Sequence, residues 1–253
     1  MAISGNSGTS ATFETGASVT VVATPDEGYA FSGWFLNDAL VSTDAEYTFT
    51  VSEDVELTAK FVPVVYEAVD LGLPSGIKWA TFNVGATKPE EYGGYYAWGE
   101  TEEKENYSWS TYKWCNGSST TMTKYCTDGS SGIVDDKTVL DPEDDVAHVK
   151  WGGSWRMPTR PEQDELRDNC TWQWTTVNNV KGCRVTGPNG NSIFLPAGGY
   201  RRYSSIYNAE LGHYWSSSFF IGISSYDLGF NNGGHNYGDG DRPYGHSVRP
   251  VSE

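Results

Sequence analysis

Residues 219–246 carry the side chains best suited to recognising a ligand. The segment is rich in Tyr, Phe, Ser, Gly, Asn, Asp and His, and it contains no Lys, Glu, Gln, Trp or Met. Tyrosine supplies rigid amphipathic contact area at a small entropic cost, while Ser, Gly and Asn adapt their hydrogen bonds to a partner. Residues 203–207 have the same composition, and Trp215 to Ser218 lie between the two segments. This chemistry indicates non-covalent binding.

The apolar residues of this region predict an exposed patch. In residues 219–223 they follow one another without the alternation of a half-buried strand. A contiguous exposed patch of large apolar side chains marks an interaction site, whose tyrosines should contribute most of the binding energy. The predicted ligand-binding residues, within a region from about 200 to 246, are Tyr203, Tyr207, Phe219, Phe220, Ile221, Ile223, Tyr226, Asn232, His235, Tyr237, Asp239, Asp241 and Tyr244.

Catalytic chemistry has little support. The chain has four histidines, and their spacing shows no Ser/His/Asp arrangement. Carboxylates are abundant among the 33 acidic residues, but no pair stands out as suited to glycoside hydrolysis. We therefore predict that the protein is not an enzyme and has no catalytic residue.

Metal sites are equally weak candidates. None of the four cysteines has a C-x-x-C neighbour, which argues against zinc. Carboxylates in residues 141–145 and 238–241 could bind calcium, but EF-hand spacing is absent and the first group is better explained as a helix start. We predict no metal and no cofactor. The cysteines permit two disulfides; we favour free thiols at Cys170 and Cys183 and leave Cys115 and Cys126 open.

Charge and composition exclude several classes of partner and fold. The net charge of −16 disfavours nucleic acid and anionic membranes. No apolar stretch is long enough to span a membrane. The N-terminus does not resemble a signal peptide, so either the protein is cytosolic or its export signal is absent from this chain. The 29 glycines and 14% aromatic residues predict short strands and tight turns rather than a helical bundle.

The first part of the chain reads as strands. Residues 18–23 and 47–51 are rich in β-branched and aromatic residues, residues 55–61 alternate, and residues 25–28 are a predicted turn. Together with the run from Glu27 to Trp34, these segments resemble the internalin-type B-repeat (Listeria–Bacteroides repeat), which implies a small β-grasp-like module. The first strand of that repeat is expected to be missing or degraded, as if the chain were trimmed from a longer surface protein.

The second part of the chain has two helical signals. One starts at Asp141, with Pro142 at its first position, and ends at Gly152; the other starts with a capping box, Thr159 to Glu162, and runs to about Asn169. Short strands and loops should follow Cys170, with a tight hairpin turn at residues 187–190.

Several motifs in residues 66–253 resemble the Fibrobacter succinogenes major paralogous domain. They are found in residues 69–76, 79–85, 95–100, 151–159, 192–198, 214–218 and 247–251. The resemblance implies a C-type-lectin-like fold of the formylglycine-generating-enzyme type, in which Trp151, Trp155, Arg156, Trp215 and Arg249 brace the loops. The enzymes of that superfamily need a reactive cysteine pair near the C-terminus, which this chain lacks.

The composition of residues 219–246 also resembles the variable region of proteins diversified by retroelements. The residue types present are those that an Asn codon reaches when its adenines change, and the five missing types are those it cannot reach. The alternative is an ordinary loop region rich in Gly and Asn.

We therefore predict a mostly β protein with two short helices (α+β). Residues 1–62 form the B-repeat-like module and residues 63–253 a C-type-lectin-like domain. The predicted function is non-catalytic ligand binding or adhesion at the bacterial cell surface, outside the cell, with a protein or carbohydrate partner, no nucleic acid and no transmembrane segment. A structural spacer is the alternative function, and a glycan-active enzyme a distant third.

Overall fold

The computed structural model describes residues 2–3, 6–26 and 28–253. The chain divides into two compact units, Met1–Val65 and Tyr66–Glu253. The division falls after Val65 rather than after residue 62, because the last strand of the first unit continues to Pro63. None of the described helices is long and apolar enough to cross a membrane.

The first unit consists of two small antiparallel sheets. Its strands are β1 (Ala2–Ile3), β2 (Asn6–Ser7), β3 (Ser18–Val22), β4 (Tyr29–Leu36), β5 (Ala39–Ser42), β6 (Glu46–Thr50) and β7 (Leu57–Pro63). One sheet has the order β2-β1-β3-β6 and the other β5-β4-β7. Val21, Ala23 and Trp34 form the centre of the core of this unit. The predicted turn at residues 25–28 includes Glu27, which lies outside the described residues.

The start of this unit has a very short strand. We expected the first strand of the repeat to be missing or degraded, and the two-residue β1 is present there and pairs with β3, with Ala2 opposite Val22 and Ile3 opposite Val21. A two-residue strand is too short to show a hydrophobic alternation, so the sequence pattern could not reveal it.

The second unit has two α-helices and a series of short strands. The helices are α1 (Val146–Trp151) and α2 (Arg160–Asn169), and 3-10 helices lie at Trp109–Thr111 and Pro142–Asp144. The strands are β8 (Ala68–Asp70), β9 (Lys78–Ala80), β10 (Thr171–Val177), β11 (Val180–Thr186), β12 (Ser192–Pro196), β13 (Tyr200–Arg202), β14 (Ser205–Tyr207), β15 (Gly212–Ile221), β16 (Ser224–Asn231), β17 (Gly234–Asp241) and β18 (Val251–Ser252). The described part of the chain is therefore mostly β.

The sheets of the second unit are small and antiparallel. Their strand orders are β8-β9-β18, β10-β11-β12, β13-β14 and β15-β16-β17. Three buried clusters lie in the described part of this unit. Trp79, Leu166 and Phe230 belong to the first, Trp98 and Trp215 to the second, and Tyr107 and Met122 to the third.

Residues 212–241 form three strands rather than loops. The sequence showed no alternation here because β16 is largely buried on both faces. Leu228 and Phe230 pack into the first cluster, while their strand neighbour Asp227 points to the other face and is also buried. A strand covered on both sides loses the alternating pattern by which half-buried strands are found.

Both helical signals correspond to helices, with one shift. The α2 helix begins at Arg160, and its N-cap Thr159 forms the predicted capping box with Glu162. The first signal splits: Asp141 precedes the 3-10 helix, and Asp145 is the N-cap of α1, accepting hydrogen bonds from the amides of Ala147 and His148. Asp141 and Asp145 are both suitable N-cap residues, because an aspartate can accept hydrogen bonds from the first amides of a helix. The sequence favoured the earlier one and therefore placed the start of the α-helix one turn too early.

All four cysteines are free thiols. The segment between Cys170 and Cys183 does form the β10–β11 hairpin, but Cys183 lies opposite Trp174 in its register, beyond the reach of Cys170. Burial raises the pKa of both thiols to about 11, so they stay protonated at neutral pH. Cys115 and Cys126, which the sequence left open, are buried.

Glu162 joins the α2 cap to the preceding loop. It accepts hydrogen bonds from the amide and hydroxyl of Thr159, at 2.7 and 2.9 Å, and forms a bidentate pair with Arg156. Burial alone would raise the pKa of Glu162, but Arg156 and Thr159 outweigh burial and lower the pKa below its ordinary value. The carboxylate form therefore stabilises the folded state.

We expect Glu162→Gln to lower the free energy of unfolding by roughly 1.5–3 kcal/mol at pH 7, because it removes charge-assisted hydrogen bonds. Stability from a carboxyl with a lowered pKa is present above its unfolded pKa and is lost as the pH falls through its folded pKa. The difference between the two proteins in urea melts should therefore shrink below about pH 4. The exposed Glu102 provides the control: Glu102→Gln should change stability by less than about 0.5 kcal/mol. If the stability difference between the wild-type protein and Glu162→Gln did not change with pH, the charge of Glu162 would not be the source of the stabilisation.

Candidate ligand-binding face

The β13–β14 hairpin and the loop after β17 present an exposed aromatic surface. Tyr203, Ile206 and Tyr207 are 50%, 47% and 40% exposed. The hairpin is fixed by its neighbours: backbone hydrogen bonds join Tyr203 to Tyr107 in both directions, and Arg201 to Gly245 in both directions. Exposed apolar side chains on a well-anchored backbone are typical of a preformed interaction surface.

Four tyrosines and an arginine make up this surface, which we call the tyrosine platform: Tyr200, Arg202, Tyr203, Tyr207 and Tyr244. The ring of Tyr200 lies between those of Tyr207 and Tyr244, stacked on both with centroids 5.8 and 5.7 Å apart. The Arg202 guanidinium lies 5.3 Å from the rings of Tyr203 and Tyr244. Burial and the neighbouring Asp241 raise the pKa of Tyr244 to about 12, so its phenol stays neutral. The platform therefore offers aromatic faces, hydroxyls and one cation.

A buried polar cluster lies next to the platform. The ring of Tyr200 is 5.1 Å from that of His213 and 5.6 Å from that of His246. Asp227, on β16, faces both histidines: its Oδ2 is 2.8 Å from Nδ1 of His213 and 3.3 Å from Nδ1 of His246. We call these three residues the His–Asp–His cluster.

The protonation states of the cluster follow from its burial. Burial works to raise the pKa of Asp227, but the two imidazoles outweigh it and hold that pKa well below its usual range. Burial lowers the pKa of His246, against the attraction of Asp227. Asp227 is therefore ionised at neutral pH.

The structure brings only part of the predicted binding residues together. Tyr203, Tyr207 and Tyr244 are in the tyrosine platform. Phe220 and Tyr226 form a separate contact, with ring centroids 4.7 Å apart and Arg160 of α2 over the Tyr226 ring. Tyr226 and Asp227 are adjacent in β16 and point to opposite faces, so the two groups lie on opposite sides of the sheet.

The other predicted residues are dispersed along β15 to β17. Ile221 is exposed, Ile223 is half-buried and Asn232 is exposed in the turn between β16 and β17. His235 packs on Trp172 with ring centroids 4.7 Å apart. In the register of the sheet, Asp239 lies opposite Tyr226, Asp241 opposite Ser224 and Tyr237 opposite Leu228. The side chain of Tyr237 lies outside the described part of the structure.

Phe219 is a wrong prediction. Its side chain is only 8% exposed and belongs to the second core cluster, with the Arg242 guanidinium 5.3 Å from its ring. The irregular register of β15 between Trp215 and Ile221 explains the error. It turns Phe219 inward while Phe220 and Ile221 stay exposed, so a run of apolar residues covers both sides of the strand.

Sequence reasoning missed Tyr200 and Arg202 in the platform, the exposed Ile206 of the same hairpin, and all three cluster residues. The run from Tyr200 to Tyr207 contains Tyr, Arg and Ile around a Ser pair, and its hairpin character could have extended the predicted site to Tyr200. The cluster left no such signal, because its residues are widely spaced and meet only through the pairing of β15 with β16 and the return of the chain after β17.

The two calcium candidates have other roles. Asp144 pairs with Lys113 and Lys124 and accepts a hydrogen bond from Tyr125, and Asp145 caps α1. Asp239 lies opposite Tyr226 in the register of the sheet, and the side chain of Asp241 lies next to the phenol of Tyr244, whose pKa it raises.

Comparison with known proteins found a similar family for the N-terminal unit. Residues 2–65 match the model of a family described as the divergent InlB B-repeat domain. This unit is similar to a B-repeat. The match agrees with the resemblance found in residues 16–61 and covers both sheets of the unit. No curated protein and no solved structure gave a significant match to the chain.

Proposed function

We propose that the protein is a non-catalytic ligand-binding or adhesion protein of the bacterial cell surface, and that the tyrosine platform contacts the ligand. The observation that carries the proposal is the grouping of four tyrosines and Arg202 on one anchored surface, where Tyr203 and Tyr207 are exposed and the other three are half-buried. The B-repeat-like unit supports the surface location.

The chemistry of the platform supports binding of a protein or a carbohydrate. Tyrosine and arginine are the side chains most enriched at the energetic centres of interfaces. Stacked neighbours already restrict the Tyr200, Tyr207 and Tyr244 rings, so less conformational entropy is lost when a ligand orders them. The Arg202 cation favours a ligand that carries a carboxylate or another acidic group.

The second unit supplies the scaffold. We propose a C-type-lectin-like fold for it, supported by its two short helices, its small sheets and the long segment between β9 and α1 in which the described residues form only bridges and 3-10 helices. A rigid core with exposed, irregular connections is the arrangement in which binding residues change without loss of the fold.

We further propose that the C-terminal region is diversified by a retroelement. The proposal limits where variation is tolerated. Exposed Tyr203, Tyr207 and Phe220 can change freely, whereas Phe219 and Asp227 are buried. The coding DNA tests the idea: an adjacent reverse transcriptase and an adenine-rich copy of the 3′ end are expected, and their absence would rule it out.

Binding is tested with the full chain on a glycan microarray and on a phage-displayed peptide library. We expect saturable binding to at least one probe, weakened about 30-fold or more by the double variant Tyr203→Ser/Tyr207→Ser, because each ring is a candidate hot spot. The matched control is Ile133→Ser/Val134→Ser, which removes two exposed apolar side chains elsewhere on the same unit. Equal loss in both double variants, or no saturable binding at all, would contradict the proposal.

A further inference from the structure

We propose that the His–Asp–His cluster binds one divalent transition-metal ion of the zinc type, held by His213, Asp227 and His246. The inference concerns a site beneath the tyrosine platform and does not depend on the platform's ligand. It goes against the prediction from the sequence, which contained no metal site.

The distances in the cluster suit a metal. One ligand atom from each residue can be chosen so that all three lie within 4.8 Å of one another. Zinc bonds of about 2.0–2.2 Å in a tetrahedral arrangement place ligand atoms about 3.3 Å apart. The separation of Asp227 Oδ2 from His246 Nδ1 is 3.3 Å, and that from His213 Nδ1 is 2.8 Å. A side-chain movement of about half an ångström would open the shorter distance to the tetrahedral spacing.

The buried charge of Asp227 also favours a bound metal ion. Asp227 is 2% exposed, and the ion pairs that the described side chains give it are those with the two histidines. A buried carboxylate needs a positive partner, because an unpaired charge in the interior costs several kcal/mol. A divalent cation between the carboxylate and two neutral imidazoles would supply it.

Two ring nitrogens of the cluster lack a hydrogen-bond partner among the described residues, Nε2 of His213 and Nδ1 of His246. His246 is 2% exposed, and its Nδ1 makes no hydrogen bond of acceptable geometry, although it lies 3.3 Å from Asp227. Most buried polar atoms in proteins are hydrogen-bonded, so such an atom requires an explanation. A metal ion bound to Nδ1 of His246 would explain the missing hydrogen bond. It would also explain why this nitrogen lies 3.3 Å from the Asp227 carboxylate.

The rings and strands around the cluster hold its ligands in place. The His246 ring stacks on Trp215, with centroids 3.8 Å apart and planes 7° from parallel. Across the sheet, a Cβ at Gly238 would lie 2.4 Å from Asp227 Oδ1, and one at Gly240 would lie 2.8 Å from His246 Cε1. These two glycines leave the space that the Asp227 and His246 side chains occupy. A preorganised ligand set loses less entropy when it binds a metal.

The ligand types select the metal. Two imidazoles and one carboxylate favour zinc, nickel or copper over calcium and magnesium, which prefer oxygen ligands alone. Three protein ligands would leave a fourth position open on a tetrahedral ion, as in zinc sites that hold a water or a substrate. The side chain of His213 is 21% exposed, which gives an ion a route from solvent.

The test uses the full chain without a polyhistidine tag, titrated with zinc by calorimetry and with cobalt by visible absorption. We expect one zinc per chain and a d–d absorption band typical of tetrahedral cobalt. His246→Ala and Asp227→Asn should each weaken zinc binding by more than about 100-fold, since loss of even an outer partner of a ligand costs 10–100-fold. His148→Ala, at a half-buried histidine of α1, should leave the affinity unchanged.

Several outcomes would overturn the proposal. Wild-type protein that shows no saturable zinc or cobalt binding would show that the cluster is a hydrogen-bonded triad only. A thiolate-to-cobalt charge-transfer band would assign the ion to the free cysteines. Equal losses in His148→Ala and His246→Ala would indicate unspecific binding. The spectrum of the wild-type protein decides the question even where a variant fails to fold.

Discussion

Replacing Arg249 with methionine is expected to destabilise the second unit by at least about 4 kcal/mol. The side chain is 1% exposed. Its guanidinium donates to Asn83 Oδ1 at 2.8 Å and to the carbonyls of Ala80, Thr81 and Phe194 at 2.9–3.1 Å. Burial lowers its pKa to about 10, so the group is still charged at neutral pH. Methionine would leave four buried acceptors unpaired, and each unpaired group costs about 1–3 kcal/mol.

Urea unfolding of the full chain measures this effect. The matched control is Arg184→Met, because Arg184 is exposed on β11 and its hydrogen bond within the described part of the chain is a 3.5 Å contact with Ser192. The control should lose less than about 0.5 kcal/mol. If the two variants were equally stable, Arg249 would not be the link between the β9 region and β12 that its hydrogen bonds indicate.

The second large effect is expected for Trp215→Ala, at about 3–5 kcal/mol. The indole is fully buried, its Nε1 donates to the Tyr96 carbonyl at 2.8 Å, and its ring stacks on His246. Alanine would leave a cavity between β15 and the loop at residue 96 and would free the His246 ring.

Thermal melts distinguish this scaffold residue from the platform. Tyr203→Ser should shift stability by less than about 1 kcal/mol, because the Tyr203 ring is half exposed. Phe220→Ser should behave in the same way. Losses at Tyr203 as large as that at Trp215 would mean that the platform residues are core and not a binding surface.

The sequence predicted the elements whose signals are local. The α2 capping box, the turn at residues 187–190 and the strands β3 and β6 are all found close to their predicted positions. Each depends on residues within one turn or one strand, and local propensity decides it.

The sequence failed where the outcome depends on distant packing. Strands β15 to β17 lie in the region for which only short strands and loops were predicted, and β16 shows no alternation because it is largely buried on both faces. Phe219 and Phe220 are neighbours of the same type, yet the irregular register of β15 buries one and exposes the other. The paired strands β15 and β16 bring His213 near Asp227, and His246 reaches them from the segment after β17, so no spacing rule could find the three residues.

The candidate site was predicted only in part, because composition is a local signal and strand register is not. Composition identified Tyr203, Tyr207 and Tyr244 as suited to recognition, and the hairpin and the loop after β17 bring them together. Composition could not separate these residues from Tyr226, because the face of the sheet on which a tyrosine lies is set by strand register.

Hydrogen–deuterium exchange, measured with and without the strongest probe from the glycan or peptide screen, tests the central claim most directly. The account predicts slower exchange in the β13–β14 hairpin and in residues 242–246, with little change in α2 or in the first unit. Protection confined to α2, to the turn between β16 and β17 or to the first unit would contradict the tyrosine platform as the binding face.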